Sequence, residues 1–241
     1  MKFESFFKRE GRAKKFYPVI HVIDMEQTEV NAKVAFENGA DGIFLIKHRL
    51  SSGRLLMIAS VLRGKWSKHF IGINLLDKEA PNAFDLGSRE DRNLNALWVD
   101  DSSIGDHIWS FADRLYKKMK RSTWDGYYFT SVAFKYQPSV KDVSVSARNA
   151  VPFSHVVVTS GDETGSPLTV EKIRIMKEAI GDHPLAIASG MTCKNIHQFL
   201  PYTDIFIVST GISDKNNNLD ARLVDQMATI IKNYNKSSGL L

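Results

Sequence analysis

From Tyr17 onward, short apolar runs rich in β-formers alternate with longer segments of helical period, the pattern of a parallel sheet built from strand-helix units. Eight runs read as strands: Tyr17 to Val22, Asp41 to Ile46, Phe70 to Leu75, Ala96 to Asp100, Gly126 to Ala133, His155 to Thr159, Pro184 to Ala188 and Asp204 to Val208. Several, such as HVVVTS and DIFIVST, are almost continuously apolar, as expected where helices cover both faces of a parallel sheet. Strand starts recur every 27 residues or so on average, close to the roughly 31 of eight units in a 250-residue barrel.

The intervening segments carry helix punctuation. Glu26 to Asn38 places Val30, Val34 and Ala35 at helical spacing and stops at Gly39. Asp106 to Lys120 aligns Ile108, Phe111, Ala112, Leu115 and Met119 on one face and ends in basic residues, which suit the negative end of the helix dipole. Thr169 is the expected cap of a helix running to Ile180, Gly181 its end, and Leu219 to Tyr234 a final helix. The polar stretch from Asp77 to Asn93, with Pro81, reads mostly as loop. The prediction is an α/β fold, a (β/α)8 TIM barrel over residues 17–241 preceded by a short basic extension over 1–16. An open doubly wound sheet is the competitor, but no Gly-rich dinucleotide fingerprint follows the first strand.

In such a barrel the carboxyl ends of all strands converge on one face, so the residues there are the candidates for chemistry. These ends offer His21 and Asp24, Lys47 and His48, Asn74, Asp100 and Asp101, Lys135, Ser160 with Asp162 and Thr164, Ser189, and Ser209 with Thr210. The turns after the seventh and eighth strands contain Ser189, Gly190 and Thr192, and Ser209, Thr210 and Gly211; glycine lets backbone approach an anion, and Thr192 is placed to cap a following helix whose amides favour phosphate. The loop Ser160, Gly161, Asp162, Glu163, Thr164, Gly165 is donor-rich and suits a lid or a polar wall. Lys135, among aromatic neighbours, is either a charged ligand contact or an imine-forming amine. Of Asp100 and Asp101 only one should enter the site, since successive strand residues point oppositely; Asp101 is the candidate, as a general base or a magnesium ligand. His21 is a ligand contact or a rim histidine, and Cys193 a packing residue. The resulting set is Lys135, Asp101 and His21 for catalysis, with Lys47, Asn74 and the loop from Ser160 to Gly165 for the rest of the substrate.

Charge and composition narrow the setting. The net charge is +5, but six basic and two acidic residues lie between Met1 and Lys15, so the body of the chain is nearly neutral. The arm reads as a solvated segment; nucleic-acid binding through it lacks any supporting motif. One cysteine allows no disulfide or zinc cluster, and no apolar run reaches the roughly 20 residues of a membrane helix. A cytoplasmic protein without membrane insertion, with no predicted cofactor beyond an optional magnesium and with homo-oligomerisation left open, is the expectation.

Pro18 to Val22, Ala35 to Gly42, the Ser160-Gly161 and Thr164-Gly165 pairs, and Ser189 to Ile196 together resemble the BtpA/SgcQ family. The resemblance runs from about Tyr17 to the carboxyl terminus, strongest from His155 to Ser213, and implies a phosphate-binding TIM barrel. That family is associated by name with photosystem I biogenesis and with a sugar-utilisation operon. This chain departs from it after His21, where Val22 to Glu26 replace a Pro- and Gly-rich loop, so no ligand contact is carried over there and no photosystem role is inferred. The functional expectation is an enzyme of isomerase, lyase or glycosyl-transfer type acting on a phosphorylated sugar or nucleotide-like metabolite. The alternative is a noncatalytic metabolite-binding or assembly-factor barrel of the BtpA type.

Overall fold

The structure, a computed structural model, describes residues 6–89, 92–108, 110–161 and 168–241. Eight parallel strands close into a barrel in chain order: β1 (Lys15–Val22), β2 (Gly42–Lys47), β3 (Phe70–Asn74), β4 (Ala96–Val99), β5 (Tyr127–Ser131), β6 (Val156–Thr159), β7 (Leu185–Ala188) and β8 (Ile205–Val208). All eight lie within two residues of their expected bounds. Closure is made by β1 against β8, with Tyr17 opposite Ile207 and Pro18 opposite Val208, which removes the open-sheet alternative.

A short helix α1 (Phe6–Glu10) precedes β1, and the connections carry α2 (Met25–Glu37), α3 (Ser52–Lys65), α4 (Ala80–Gly87), α5 (Ser110–Arg121), α6 (Val143–Ala150) and α7 (Val170–Ile180), with α8 (Ala221–Ser237) after β8. Asp24, Ser51, Asp142, Thr169 and Asp220 accept amide hydrogens of the first turns, so the side chains that favour caps set the helix starts. Two expectations are corrected. Residues 77–93 are not simply loop, because Pro81 in the first turn of α4 needs no amide donor there and Phe84 packs inward. No α-helix follows β7; the crossover to β8 is turns with one 3-10 segment, Ile196–Gln198, and Thr192 caps no helix.

Two apolar layers hold the barrel. One lies between sheet and helices, the other fills the lumen with Tyr17, Phe44, Phe70, Trp98, Tyr127 and Phe129. Within the lumen Tyr17 stacks on Phe70 at 4.6 Å, and Phe44 meets Phe129 edge-on at 5.0 Å. Of the basic extension, the described residues 6–16 are part of this body rather than a solvated arm, and residues 1–5 lie outside the described residues. Phe6 is 1% exposed, packs 4.9 Å from the Tyr127 ring and stops the amino-terminal end of the lumen. Three of the extension's basic residues are paired: Arg9 with Asp125 at 2.9 Å, Arg12 with Asp182 at 3.1 Å, and the buried Lys14 with Asp204 at 3.2 Å. Lys15 and Phe16 already belong to β1. No described helix is long and apolar enough to cross a membrane.

Candidate active site

Alternation along each strand carries the apolar filling of the lumen up to a polar ring. Tyr17 and Val19 lead to His21, Phe44 and Ile46 to His48, Phe70 to Asn74, Trp98 to Asp100, and Ile205 and Ile207 to Ser209. Above Val19, Ile46, Trp98, Ala188 and Ile207 the barrel opens into a cavity of about 700 Å³ at the carboxyl-terminal face, where Lys135, Ser189 and Thr210 complete the wall.

The ring is bonded in two groups, His48 with His21 and Ser209, and Asn74 with Asp100. His21 Nδ1 lies 2.8 Å from His48 Nε2, and His21 Nε2 lies 2.8 Å from Ser209 Oγ. The two imidazoles stack at 5.0 Å. Burial, then the charges of His48 and Lys135, lowers His21 to about 4, so this imidazole is neutral at pH 7. Asn74 donates to Asp100 Oδ1 at 2.7 Å. Burial raises the Asp100 carboxyl above the usual range, opposed by the Asn74 bond and by the charges of Lys135 and His48. The same burial thus favours the neutral form of both an acid and a base. Asn74, fully buried, keeps its carboxamide oxygen without a partner among the described residues while it lines the cavity.

The mouth is held by backbone in uncommon conformations. Ala133, Tyr136 and Ser189 have φ of 46°, 66° and 101°, beside Gly190 at 76°. At β5, Gln137 fastens the turn by donating to Asp100 O at 2.6 Å and Ser131 O at 3.0 Å, and Lys172 Nζ donates to Ala133 O at 2.7 Å. The Lys135 amide donates to Ser160 Oγ at 2.8 Å, leaving the side chain over the cavity. At β8 the first internal bond of the 3-10 turn is Ile212 N to Ser209 O at 2.9 Å, so the amides of Thr210 and Gly211 precede the turn's own bonding, and Thr210 lines the cavity.

Of the residues expected from the sequence, the structure brings His21, Asn74, Lys135, Ser189, Ser209 and Thr210 together on the cavity. Asp101 also lines it, but from the exposed rim, with Oδ1 turned to the Ser103 amide at 2.8 Å; Asp100 is the carboxylate in the ring. Lys47 points to the other side of β2, where its buried Nζ pairs with Asp77 at 2.8 Å. Ser160 donates to Gly161 O at 2.8 Å, and both serve the backbone of the β6 end. Thr192 bonds Asn195 through its amide at 2.8 Å and its hydroxyl at 3.1 Å. Gly190 and Gly211 shape the paired turns without lining the cavity, Gly211 because its backbone rests on Met191. Asp162, Thr164 and Gly165 lie outside the described residues. His48 and Asp100, named among the strand ends but left out of the chosen set, are ring members, and Trp98, which the sequence did not single out, lines the floor. Among the described residues no group of three or more His, Cys, Asp or Glu side chains is arranged to hold a metal.

No family model matches the chain. Its sequence is 26% identical over 216 residues to the uncharacterized protein MJ1115 of Methanocaldococcus jannaschii, across 84% of this chain and 79% of that one. The fold is similar to phosphoribosyl anthranilate isomerase from Thermus thermophilus, with a TM-score of 0.62 and 11% identity over 91% of this chain and 98% of that one. It is also similar to (S)-3-O-geranylgeranylglyceryl phosphate synthase from Thermoplasma acidophilum in complex with sn-glycerol-1-phosphate, with a TM-score of 0.66 and 13% identity over 94% and 96% of the two chains. At these identities the structural likeness is one of fold.

Proposed function

We propose that this barrel is an enzyme of isomerase, lyase or glycosyl-transfer type acting on a phosphorylated sugar or nucleotide-like metabolite. The observation that carries the reading is the polar ring of His21, His48, Asn74, Asp100 and Ser209 above an apolar floor, in a cavity of about 700 Å³. A fully buried pocket for an apolar ligand would have no use for an unpaired carboxamide oxygen and a bonded imidazole pair.

Each wall has a task in this scheme. The Ser209 hydroxyl and the Thr210 amide, facing Ser189 across the seam of β7 and β8, hold the phosphate, with Gly211 shaping the turn. Lys135 brings a positive charge to the same cavity. Asn74 accepts a hydroxyl of the sugar and holds Asp100. The neutral His21, with His48 bonded to it, and the desolvated Asp100 exchange protons with the reacting carbons. The mouth's resemblance to the BtpA/SgcQ pattern around Ser189 to Ile196 supports an anion site at the β7 turn, as do the two named phosphate-handling enzymes of the same fold.

The test is thermal unfolding against a panel of sugar phosphates and nucleotides, followed by turnover assays with any compound that stabilises. Stabilisation by a phosphorylated compound, lost in Ser209→Ala, with turnover lost in His48→Gln and Asp100→Asn, is the expected result. Stabilisation without turnover by the parent protein selects the noncatalytic barrel, and silence across all phosphorylated compounds rejects the phosphate reading.

A further inference from the structure

A second cavity, of about 380 Å³, opens beside the first, between the loops that follow β4 and β5. The two share Asp101 and Gln137, which form the sill between them. Its walls are largely apolar, with Ile104, Phe111, Pro138 and Val140, and its rim carries Asp101 and His107.

This side cavity is built rather than incidental. Asp106 accepts from the amides of Lys141 at 2.7 Å and Asp142 at 3.2 Å, and so ties the β4 loop to the β5 loop. Asn149 of α6 donates to Gly105 O at 2.9 Å, and Ile104 and Ile108 pair across the turn between them. Ser103, at φ 57°, turns the chain out to make room, with Asp101 fixing its amide. A β-carbon on Gly105 would stand 3.5 Å from Val140, an ordinary contact, so the loop packs without crowding.

Its position relative to the anion turns is the informative point. In a closed ring of eight strands, β4 stands opposite β8. The side cavity and the Ser209 to Gly211 turn therefore flank the polar ring from opposite sides. A ligand that reaches both has its phosphate at one end, its reacting carbons over His48 and Asp100, and a compact, mostly apolar group at the other. The acceptor at the sill, Asp101, selects an end group with a hydrogen-bond donor, and Phe111 offers an aromatic wall, which together suit a flat heterocycle better than an alkyl chain.

We propose that the cavity between the β4 and β5 loops is a specificity subsite for a nitrogen heterocycle, so that the substrate is a nucleotide-like sugar phosphate rather than a bare one. The inference rests on the phosphate reading given above. It assigns Val140, Phe111 and Asp101 to recognition of the base, away from the reacting atoms.

The experiment is calorimetric titration of the full chain with ribose 5-phosphate and with the common nucleoside 5′-monophosphates. At least one mononucleotide is expected to bind about ten-fold more tightly than ribose 5-phosphate, a difference of about 1.4 kcal/mol. Val140→Trp, which fills the subsite, is expected to erase that gain and leave ribose 5-phosphate affinity unchanged, with Phe111→Ala as the second variant should Val140→Trp fail to fold. Ribose 5-phosphate binding with no gain from any base, or a gain untouched in the folded variant, overturns the subsite and spares the phosphate site. No binding by ribose 5-phosphate or any mononucleotide overturns both.

Discussion

His21 Nε2, at the carboxyl-terminal end of β1, and Ser209 Oγ, just past β8, lie 2.8 Å apart, and His21 Nδ1 lies as close to His48. The bond inventory of these three groups couples an anion site to an imidazole tautomer. When the Ser209 hydroxyl hydrogen turns to a phosphate oxygen, Oγ must accept from His21 Nε2, which leaves Nδ1 bare to accept from His48 Nε2. In ¹⁵N spectra, saturating ribose 5-phosphate is expected to hold His21 as the Nε2–H tautomer, and Ser209→Ala to remove that effect. A bound complex with His21 protonated at Nδ1 would refute the coupling.

Acid should destabilise the fold in a defined window. His21, His155 and His183 are each lowered from 6.5 to about 4, burial being the leading cause in all three. An imidazole whose folded pKa lies below its unfolded value contributes stability above the unfolded pKa and loses it as pH falls toward the folded one. The melting temperature is expected to be level above about pH 7 and to drop progressively from pH 6.5 to about 4. His155→Asn, whose carboxamide oxygen can replace Nδ1 as acceptor of the Tyr128 amide, should flatten part of that slope. A melting temperature that is constant across the window would contradict the assignment.

Lys47 is expected to matter for stability and not for ligand. Its side chain is 6% exposed and its ammonium paired to Asp77, whose side chain is 45% exposed. The Lys47 and Lys78 bonds hold the Asp77 carboxyl at about 2 against the opposing effect of burial. Asp77→Ala strands the buried charge and should cost about 2 kcal/mol, below the usual cost of breaking a fully buried pair because Asp77 is half in water. Lys47→Met should leave sugar phosphate affinity unchanged. A large affinity loss in Lys47→Met would return this residue to the binding site.

The lumen stopper can be measured directly. Phe6 packs on Tyr127 and Phe129, and Tyr127 donates to Glu10 at 2.9 Å. Phe6→Ala is expected to cost about 3 kcal/mol in denaturant unfolding, with ligand affinity retained because the stopper sits at the far end of the barrel. A change below about 0.5 kcal/mol would mean that the segment adds nothing to the core.

Gly211 tests the closeness of the paired turns. A β-carbon there would collide with the carbonyl oxygen of Met191, which backbone cannot easily yield. Gly211→Ala is expected to abolish phosphate-dependent stabilisation and to lower the melting temperature modestly, whereas Gly190→Ala meets open space and is limited to the cost of its φ of 76°. Equal effects of the two substitutions would contradict this packing.

Fold and strand ends were legible in the sequence because each strand is a dense apolar run bounded by turn residues, and eight such runs at a barrel's spacing leave few ways to close. The sequence also located the mouth, and with it His21, Asn74, Lys135 and Ser209. It did not distinguish His48 from Lys47 or Asp100 from Asp101. The reason is physical: the strands concerned, Gly42–Lys47 and Ala96–Val99, are buried at every position, so no alternation marks which neighbour faces the lumen. Barrel closure sets that parity, pairing Val19 with Phe44 so that both point inward and carry His21 and His48 to the same ring. Ser189 escapes the alternation altogether through its φ of 101°. The sequence by itself thus determined the number of strands and the end of the barrel where chemistry gathers, and only the closed tertiary structure decided which side chain of each adjacent pair enters the cavity.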